Sequence, residues 1–164
     1  MKTFVIPAAA AAITCMLQAS ASSAVAASPQ YPQADIQRGR YLVRITGCND
    51  CHTPGYPESN GRTPEKDWLT GSPLGWRGPW GTTYASNLRL VMNNMSEAQW
   101  LKHARVEWRP PMPWFNLQGM NDADLRAIYR YVRHLGPAGK PAPAYVPPEQ
   151  TPAQPYVQFP APPK

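Results

Sequence analysis

The sequence lacks long apolar runs beyond its first residues, has no cluster of lysines or arginines, and contains only three cysteines in 164 residues. Without a long apolar run, the chain after its first residues has no predicted transmembrane segment. Without a basic cluster it is not expected to bind nucleic acid, although its formal net charge is +6. No internal repeat is present, and the length fits one small domain with additional segments.

The N-terminal segment 1–27 has the composition of a secretory signal peptide. Lys2 gives a basic start, an apolar stretch covers residues 4–17, and small residues follow up to an Ala-x-Ala site. The apolar stretch is too short to span a bilayer, so an uncleaved membrane anchor is the weaker alternative. We therefore expect cleavage after Ala26 or Ala27 and a periplasmic protein. The mature chain would carry 15 basic and 10 acidic residues, a charge suited to an acidic docking partner.

Signal cleavage would remove Cys15 and leave Cys48 and Cys51, which His52 follows directly. A Cys-x-x-Cys-His run is the attachment signature of haem c. Two thiols three positions apart on a turn can each form a thioether with one haem vinyl group. The next residue then lies under the ring, where its imidazole is the proximal iron ligand. The sequence thus predicts one covalent haem c, held by Cys48 and Cys51 and ligated by His52.

Two other uses of this motif are weaker. A thioredoxin-like redox pair requires a preceding strand, whereas a helical pattern precedes Cys48. A zinc site requires one more ligand, and the candidates His103 and His134 do not form a recognisable paired spacing. Both histidines lie on predicted helices, where we expect them to be exposed.

Three segments carry the signals of amphipathic helices. Residues 34–46 have apolar residues near helical spacing and end at Gly47. Gly39 is costly inside such a helix, which suggests close approach by another helix. A second helix begins after the capping residue Ser96 and runs to about residue 106.

The third predicted helix begins after the cap Asn121 and stops before Gly136. Its apolar stripe comprises Leu125, Ile128, Tyr129, Val132 and Leu135. We place a haem-binding domain at 28–136 and an extended, proline-rich segment at 137–164, which could lie against the domain or be a free tail.

The long segment 53–86 has no periodicity but contains the large aromatic residues Trp68, Trp76, Trp80 and Tyr84. Such a loop is usually functional or wrapped around something. We expect these aromatics to cover a haem, with ordinary loop packing as the alternative.

The predicted sixth iron ligand is Met112. Pro111 and Pro113 flank it, so the backbone is held extended and cannot form a helix. A rigid strap of this kind can present a thioether to iron at a fixed height. Met120 is the second candidate, although it can also pack as a staple at the start of the third helix. A histidine ligand or an open coordination position are further alternatives.

These features resemble class I cytochrome c. The resemblance rests on the helix containing Gly39, the Cys48–His52 motif, the Pro-Met-Pro strap and the terminal helix. It implies an all-α fold with three main helices around one haem, and Met112 on the iron. It also implies that the first and last helices cross with Gly39 near Ile128 or Tyr131.

A narrower resemblance is to cytochrome subunits of periplasmic alcohol and sugar dehydrogenases. It rests on the run Gly81–Asn87, on Trp100 and on residues 124–129. Those subunits usually carry three haem motifs, whereas this chain has one. The resemblance suggests redox partner proteins on the dehydrogenase or terminal oxidase side.

A histidine and a thioether together would leave the iron no open position, which favours one-electron transfer over enzymatic chemistry. The alternative is a haem enzyme or small-ligand sensor with an open coordination position. A structural haem subunit that uses the proline-rich tail as a docking arm is a third possibility.

Overall fold

The computed structural model describes Met1 and residues 30–160, which form six α-helices, one 3-10 turn and three short strands. Apart from Met1, the predicted signal peptide lies outside the described residues. The helices are α1 Gln33–Ile45, α2 Cys48–His52, α3 Leu88–Asn93, α4 Glu97–His103, α5 Trp114–Gly119 and α6 Asp122–Leu135. The three predicted main helices correspond to α1, α4 and α6.

Helices α1 and α6 form the largest contact between elements and cross at Gly39. A Cβ atom placed on Gly39 would overlap the Ala127 carbonyl and the Tyr131 side chain. Only a residue without a side chain therefore allows this crossing. The expected contact between Gly39 and Tyr131 is confirmed.

Ion pairs fix the same crossing at its edges. Arg38 Nε donates to Asp124 Oδ1 at 2.8 Å, and Arg130 Nη1 donates to Asp35 Oδ2 at 2.6 Å. Arg130 also donates to the Glu97 carboxylate. Because Glu97 begins α4, one guanidinium connects α1, α4 and α6.

The predicted helix starts are confirmed. Ser96 and Gln99 form a reciprocal capping box at α4, and Asn121 accepts from the Asp124 amide at α6. Trp100 is buried and its indole donates to the Leu125 carbonyl at 2.8 Å, which docks α4 on α6. Helix α4 ends at His103, earlier than predicted.

The expectation of an all-α chain is wrong in one respect, because a small sheet is present beside the helices. Strands β1 Gly75–Gly78 and β2 Gly81–Tyr84 form an antiparallel hairpin, and β3 Tyr156–Gln158 pairs in parallel with β1. Neither four-residue strand alternates apolar and polar residues, so the sequence pattern that predicts a half-buried strand is absent. No local sequence pattern could predict the pairing of β3 either, since its partner strand lies about 80 residues earlier in the chain.

The proline-rich segment packs along the domain up to residue 160. Thr82 and Val146 exchange two backbone hydrogen bonds of 2.7 and 3.0 Å. The side-chain amide of Asn87 donates to the backbone carbonyls of Ala138 and Lys140. These contacts place the segment against β2 and the start of α3.

Arg89 of α3 is buried, with 6% of its surface exposed, and it connects separate segments of the chain. Its guanidinium donates to three carbonyls, those of Lys66, Leu135 and Gly136. Burial lowers the pKa of Arg89 below its ordinary value. The side chain caps the C-terminus of α6, where a cation meets the unpaired carbonyls of the last turn.

Within residues 30–160 the structure contains no helix that combines the length and the apolar character needed to cross a membrane.

Candidate haem site

The Cys-x-x-Cys-His motif forms its own short helix, α2, directly after α1. Gly47 joins the two helices with a left-handed backbone, at φ +73°, a conformation that favours glycine. Cys48 and Cys51 are not joined in a disulfide, and both line one large cavity. Burial raises the pKa of both thiols. The helix therefore presents two thiols to the same space.

His52 is held in one orientation and one protonation state. It is buried, with 8% of its surface exposed, and lines the same cavity. Its Nδ1 lies 2.7 Å from the Ser86 carbonyl oxygen. A carbonyl can only accept, so Nδ1 carries the proton and Nε2 keeps a free lone pair. Burial lowers the pKa of His52 despite the Ser86 contact, which favours the neutral imidazole that binds metals.

A buried hydrogen-bond chain holds the end of α2 to the following loop. Thr53 Oγ1 donates to Asn49 Oδ1 at 2.7 Å and accepts from the Leu69 amide at 2.8 Å. The Gly71 amide donates to the His52 carbonyl at 2.8 Å. No sequence motif indicates this chain, and none indicates Ser86, because Ser86 acts through its backbone carbonyl and leaves no side-chain signal.

The cavity has a volume of about 580 Å³, within the usual range for cofactor pockets. Its wall is largely apolar, and the buried apolar part comes from α1, α3, α4, α5, α6 and the loop after α2. That part includes Val43, Leu69, Met92, Trp100, Ile128 and Val132.

The predicted strap lies along another wall of this cavity. Pro111, Met112 and Pro113 all line it, and Met112 is half-buried. Thr83 Oγ1 of β2 donates to the Pro110 carbonyl at 2.8 Å, which ties the strap to the sheet. The Met112 thioether therefore shares one cavity with both thiols and the imidazole.

The cavity also receives two other methionines and one other histidine. Met92 and Met120 line it. His103 lines it too, half-buried between Trp100 and Trp108, which corrects the expectation that it is exposed. His134 is exposed and is not a lining residue. The choice of Met112 as sixth ligand stays a prediction.

Two of the four large aromatic residues of the long loop line the cavity, and the other two pack elsewhere. Trp76 and Tyr84 line the cavity, as expected. Trp68 instead packs edge-on against Tyr56, with ring centroids 5.8 Å apart. Trp80 packs on Phe159 of the tail. The sequence pattern could not separate these roles, because Trp68 and Trp80 lie outside the strands, where no periodicity indicates what a side chain contacts.

Two thiols on one helical turn, a neutral buried histidine and a thioether strap around one apolar cavity define a site for a covalently attached haem. The protein class is that of the c-type cytochromes.

The comparisons with known proteins agree with this class. The family model "Cytochrome c" matches residues 36–136, so the chain belongs to the cytochrome c family. Its cofactor is a covalently bound haem c, with Cys48, Cys51 and His52 in the Cys-x-x-Cys-His pattern, and its domain type is an electron carrier.

Two curated relatives are similar to this chain. They are the cytochrome c subunits of quinone alcohol dehydrogenases from Gluconacetobacter polyoxogenes and Komagataeibacter europaeus. Each is 26% identical over 133 residues, which cover 74% of this chain. The chain spans about a quarter of the length of these relatives, since the match covers 26% of each. No solved structure matches the chain significantly.

Proposed function

We propose that this protein is a periplasmic one-electron carrier with a single haem c, for which His52 and Met112 would supply the two protein ligands of the iron. The observation that carries the proposal is the meeting of both thiols, the neutral imidazole and the Met112 strap at one cavity. When bound, haem c supplies an iron centre that cycles between ferrous and ferric states.

The residues around the cavity support a carrier rather than an enzyme. His52 is oriented by Ser86, so its free nitrogen is the one left for a metal. The largely apolar wall lowers the polarity around the iron, and a thioether ligand would disfavour the extra positive charge of the oxidised form. Both effects favour a high reduction potential.

Met112 is the preferred ligand among the methionines at the cavity. Met92 is fully buried in the core between helices, and Met120 ends α5 beside the start of α6. Both positions are explained by packing. Met112 also packs against the core, but it differs from both because it lies between two prolines on a strap that is tied to β2 through Thr83.

We further propose that the redox partner is a periplasmic dehydrogenase or an oxidase-side protein with an acidic docking surface. The relatives' names support the first of these, since both are subunits of quinone alcohol dehydrogenases. The excess of 15 basic over 10 acidic residues expected in the mature chain supports the acidic docking surface, because opposite charges steer the encounter of two proteins. The signal-like composition of the N-terminus supports the periplasmic location.

The proposal is tested on the holoprotein by visible spectroscopy and redox titration. We expect a low-spin ferric spectrum, a positive potential, and no spectral change on adding cyanide or peroxide at low concentration, since the iron would have no open position. A high-spin ferric spectrum that responds to either ligand would instead indicate a ligand sensor or haem enzyme.

A further inference from the structure

The proline-rich tail forms part of the wall of the haem cavity. Pro143 and Tyr145 both line it, although they lie outside the residues that the family model matches. The backbone pairing of Val146 with Thr82 fixes this part of the tail on β2. The Tyr145 hydroxyl donates to the Trp80 carbonyl at 2.9 Å. Tyr145 is thus held in place both by its backbone neighbour and by its own side chain.

The position of the Tyr145 side chain depends on a neighbouring glycine. Gly81 has a φ of +94°, and a Cβ atom there would lie 2.7 Å from the Tyr145 hydroxyl and 2.5 Å from the Val146 carbonyl. Real Cβ atoms do not come this close to other heavy atoms, so only glycine permits the contact. The close approach of the tail to β2 therefore depends on the glycine at position 81.

The ring of Tyr145 contacts the strap through Arg109. The Arg109 guanidinium lies 4.1 Å from the centre of the ring, well inside the range of a cation–π contact. Arg109 directly precedes the two prolines and Met112. Thr83 of β2 also donates a hydrogen bond to the Pro110 carbonyl. The strap is therefore held by contacts with both the sheet and the tail.

We propose that Tyr145 is a positioning residue, which holds Arg109 and thereby keeps the Met112 strap closed over the haem. This inference rests on the proposed ligation by Met112. Its consequence is that the tail controls how readily an outside ligand displaces the thioether. The tail then belongs to the electron-transfer site itself, in contrast to a docking arm.

The test measures imidazole binding to the ferric holoprotein, because imidazole can bind only when the strap opens. Tyr145→Ala and Arg109→Gln should each tighten imidazole binding about two- to fivefold, the change expected for one exposed cation–π contact. The double variant should bind no more tightly than the stronger single variant, since both changes remove the same contact. Full additivity, or wild-type binding in Tyr145→Ala, would overturn the proposal.

Two further variants separate the ring from general effects on the tail. Tyr145→Phe keeps the ring on Arg109, so it should tighten binding less than Tyr145→Ala. Tyr156→Ala removes another tail tyrosine that lies over an arginine, Arg77 at 6.0 Å, but does not line the cavity. It should leave imidazole binding unchanged. An equal effect in Tyr156→Ala would mean that loosening any part of the tail suffices, and the proposed contact would be wrong.

Hydrogen exchange of holoprotein peptides covering residues 106–116 separates this inference from the ligand assignment. Tyr145→Ala should speed exchange in this segment whichever residue binds the iron. Faster exchange in Tyr145→Ala, together with a normal ligand spectrum in Met112→Ala, would contradict Met112 as the iron ligand. It would still support the proposal that Tyr145 holds the strap. Unchanged exchange in Tyr145→Ala would contradict the proposal that Tyr145 holds the strap, without affecting the assignment of Met112 as the ligand.

Discussion

The two sides of the cavity that carry the proposed iron ligands are built in different ways. His52 lies at the end of a helix and is buried, and its imidazole is tied to the Ser86 backbone. Met112 lies in a segment without regular structure, next to exposed side chains such as Phe115, which is 61% exposed. Its strap is held by the Thr83 hydroxyl and the Tyr145 ring. We infer that the His52 side depends on the helical framework, whereas the Met112 side can open without unfolding the domain.

The helical framework should be the most sensitive part of the molecule, and Gly39 tests this most strongly. Gly39→Ala should cost about 3 kcal/mol or more in the free energy of unfolding, since the new methyl group overlaps the Ala127 carbonyl across the main helix crossing. Guanidinium unfolding of the holoprotein measures it. Gly119→Ala is the matched control, because a Cβ atom there has no neighbour within 4 Å, and it should be neutral or slightly stabilising. Equal stability of the two variants would remove the close crossing from the account.

Arg89 should give the next largest effect, because it connects α3 to the end of α6. Arg89→Met should lower the free energy of unfolding by about 2–3 kcal/mol, since three carbonyls lose their donor in a buried place. Thermal unfolding measures it, with the exposed Arg62→Met as the control. A loss no greater than that of Arg62→Met would mean that water replaces the guanidinium.

Glu97 should give a smaller, pH-dependent effect. The hydrogen bond from Arg130, followed by that from Arg126, lowers the pKa of Glu97 in the folded protein. The carboxylate therefore adds stability at neutral pH, and that stability is lost as the pH falls through the lowered pKa. Glu97→Gln should cost about 1 kcal/mol near neutral pH, and the difference from wild type should vanish in acid.

Unfolding curves collected from about pH 7 to about pH 3 would show this trend. The control is Glu58→Gln, which changes an exposed carboxylate. A stability difference for Glu97→Gln that stays constant across the series would contradict an ionic origin.

The smallest effect on stability should come from the strap. Thr83→Val removes the hydrogen bond to the Pro110 carbonyl and should lower the free energy of unfolding by less than about 1 kcal/mol. Hydrogen exchange in the strap should nevertheless become faster. Thr70→Val, which removes a local hydrogen bond to the Asp67 carbonyl, should leave strap exchange unchanged. A large global destabilisation by Thr83→Val would show that the strap is part of the framework.

The helical framework could be predicted from sequence because its signals are local. The cap residues Ser96 and Asn121, the apolar stripe of α6 and the Cys-x-x-Cys-His motif each act within a few residues. The contact between Gly39 and Tyr131 came from the family resemblance.

The surroundings of the strap could not be predicted in the same way. Tyr145 meets Arg109, and β3 meets β1, only after the chain has folded back over long separations. Ser86 orients His52 through a carbonyl, which every residue type possesses. Contacts of these kinds leave no period and no motif. The half-buried position of His103 was missed for the same reason, since it depends on Trp108 beyond the end of α4.

The central claim, that both His52 and Met112 would ligate the haem iron, is tested most directly by comparing ferric Met112→Ala with ferric Met120→Ala. Both methionines line the cavity, so each variant controls for the loss of a thioether there. The account predicts that only Met112→Ala loses the sulfur-to-iron charge-transfer band and shows a lowered reduction potential. Loss of the band in Met120→Ala with its retention in Met112→Ala would contradict it.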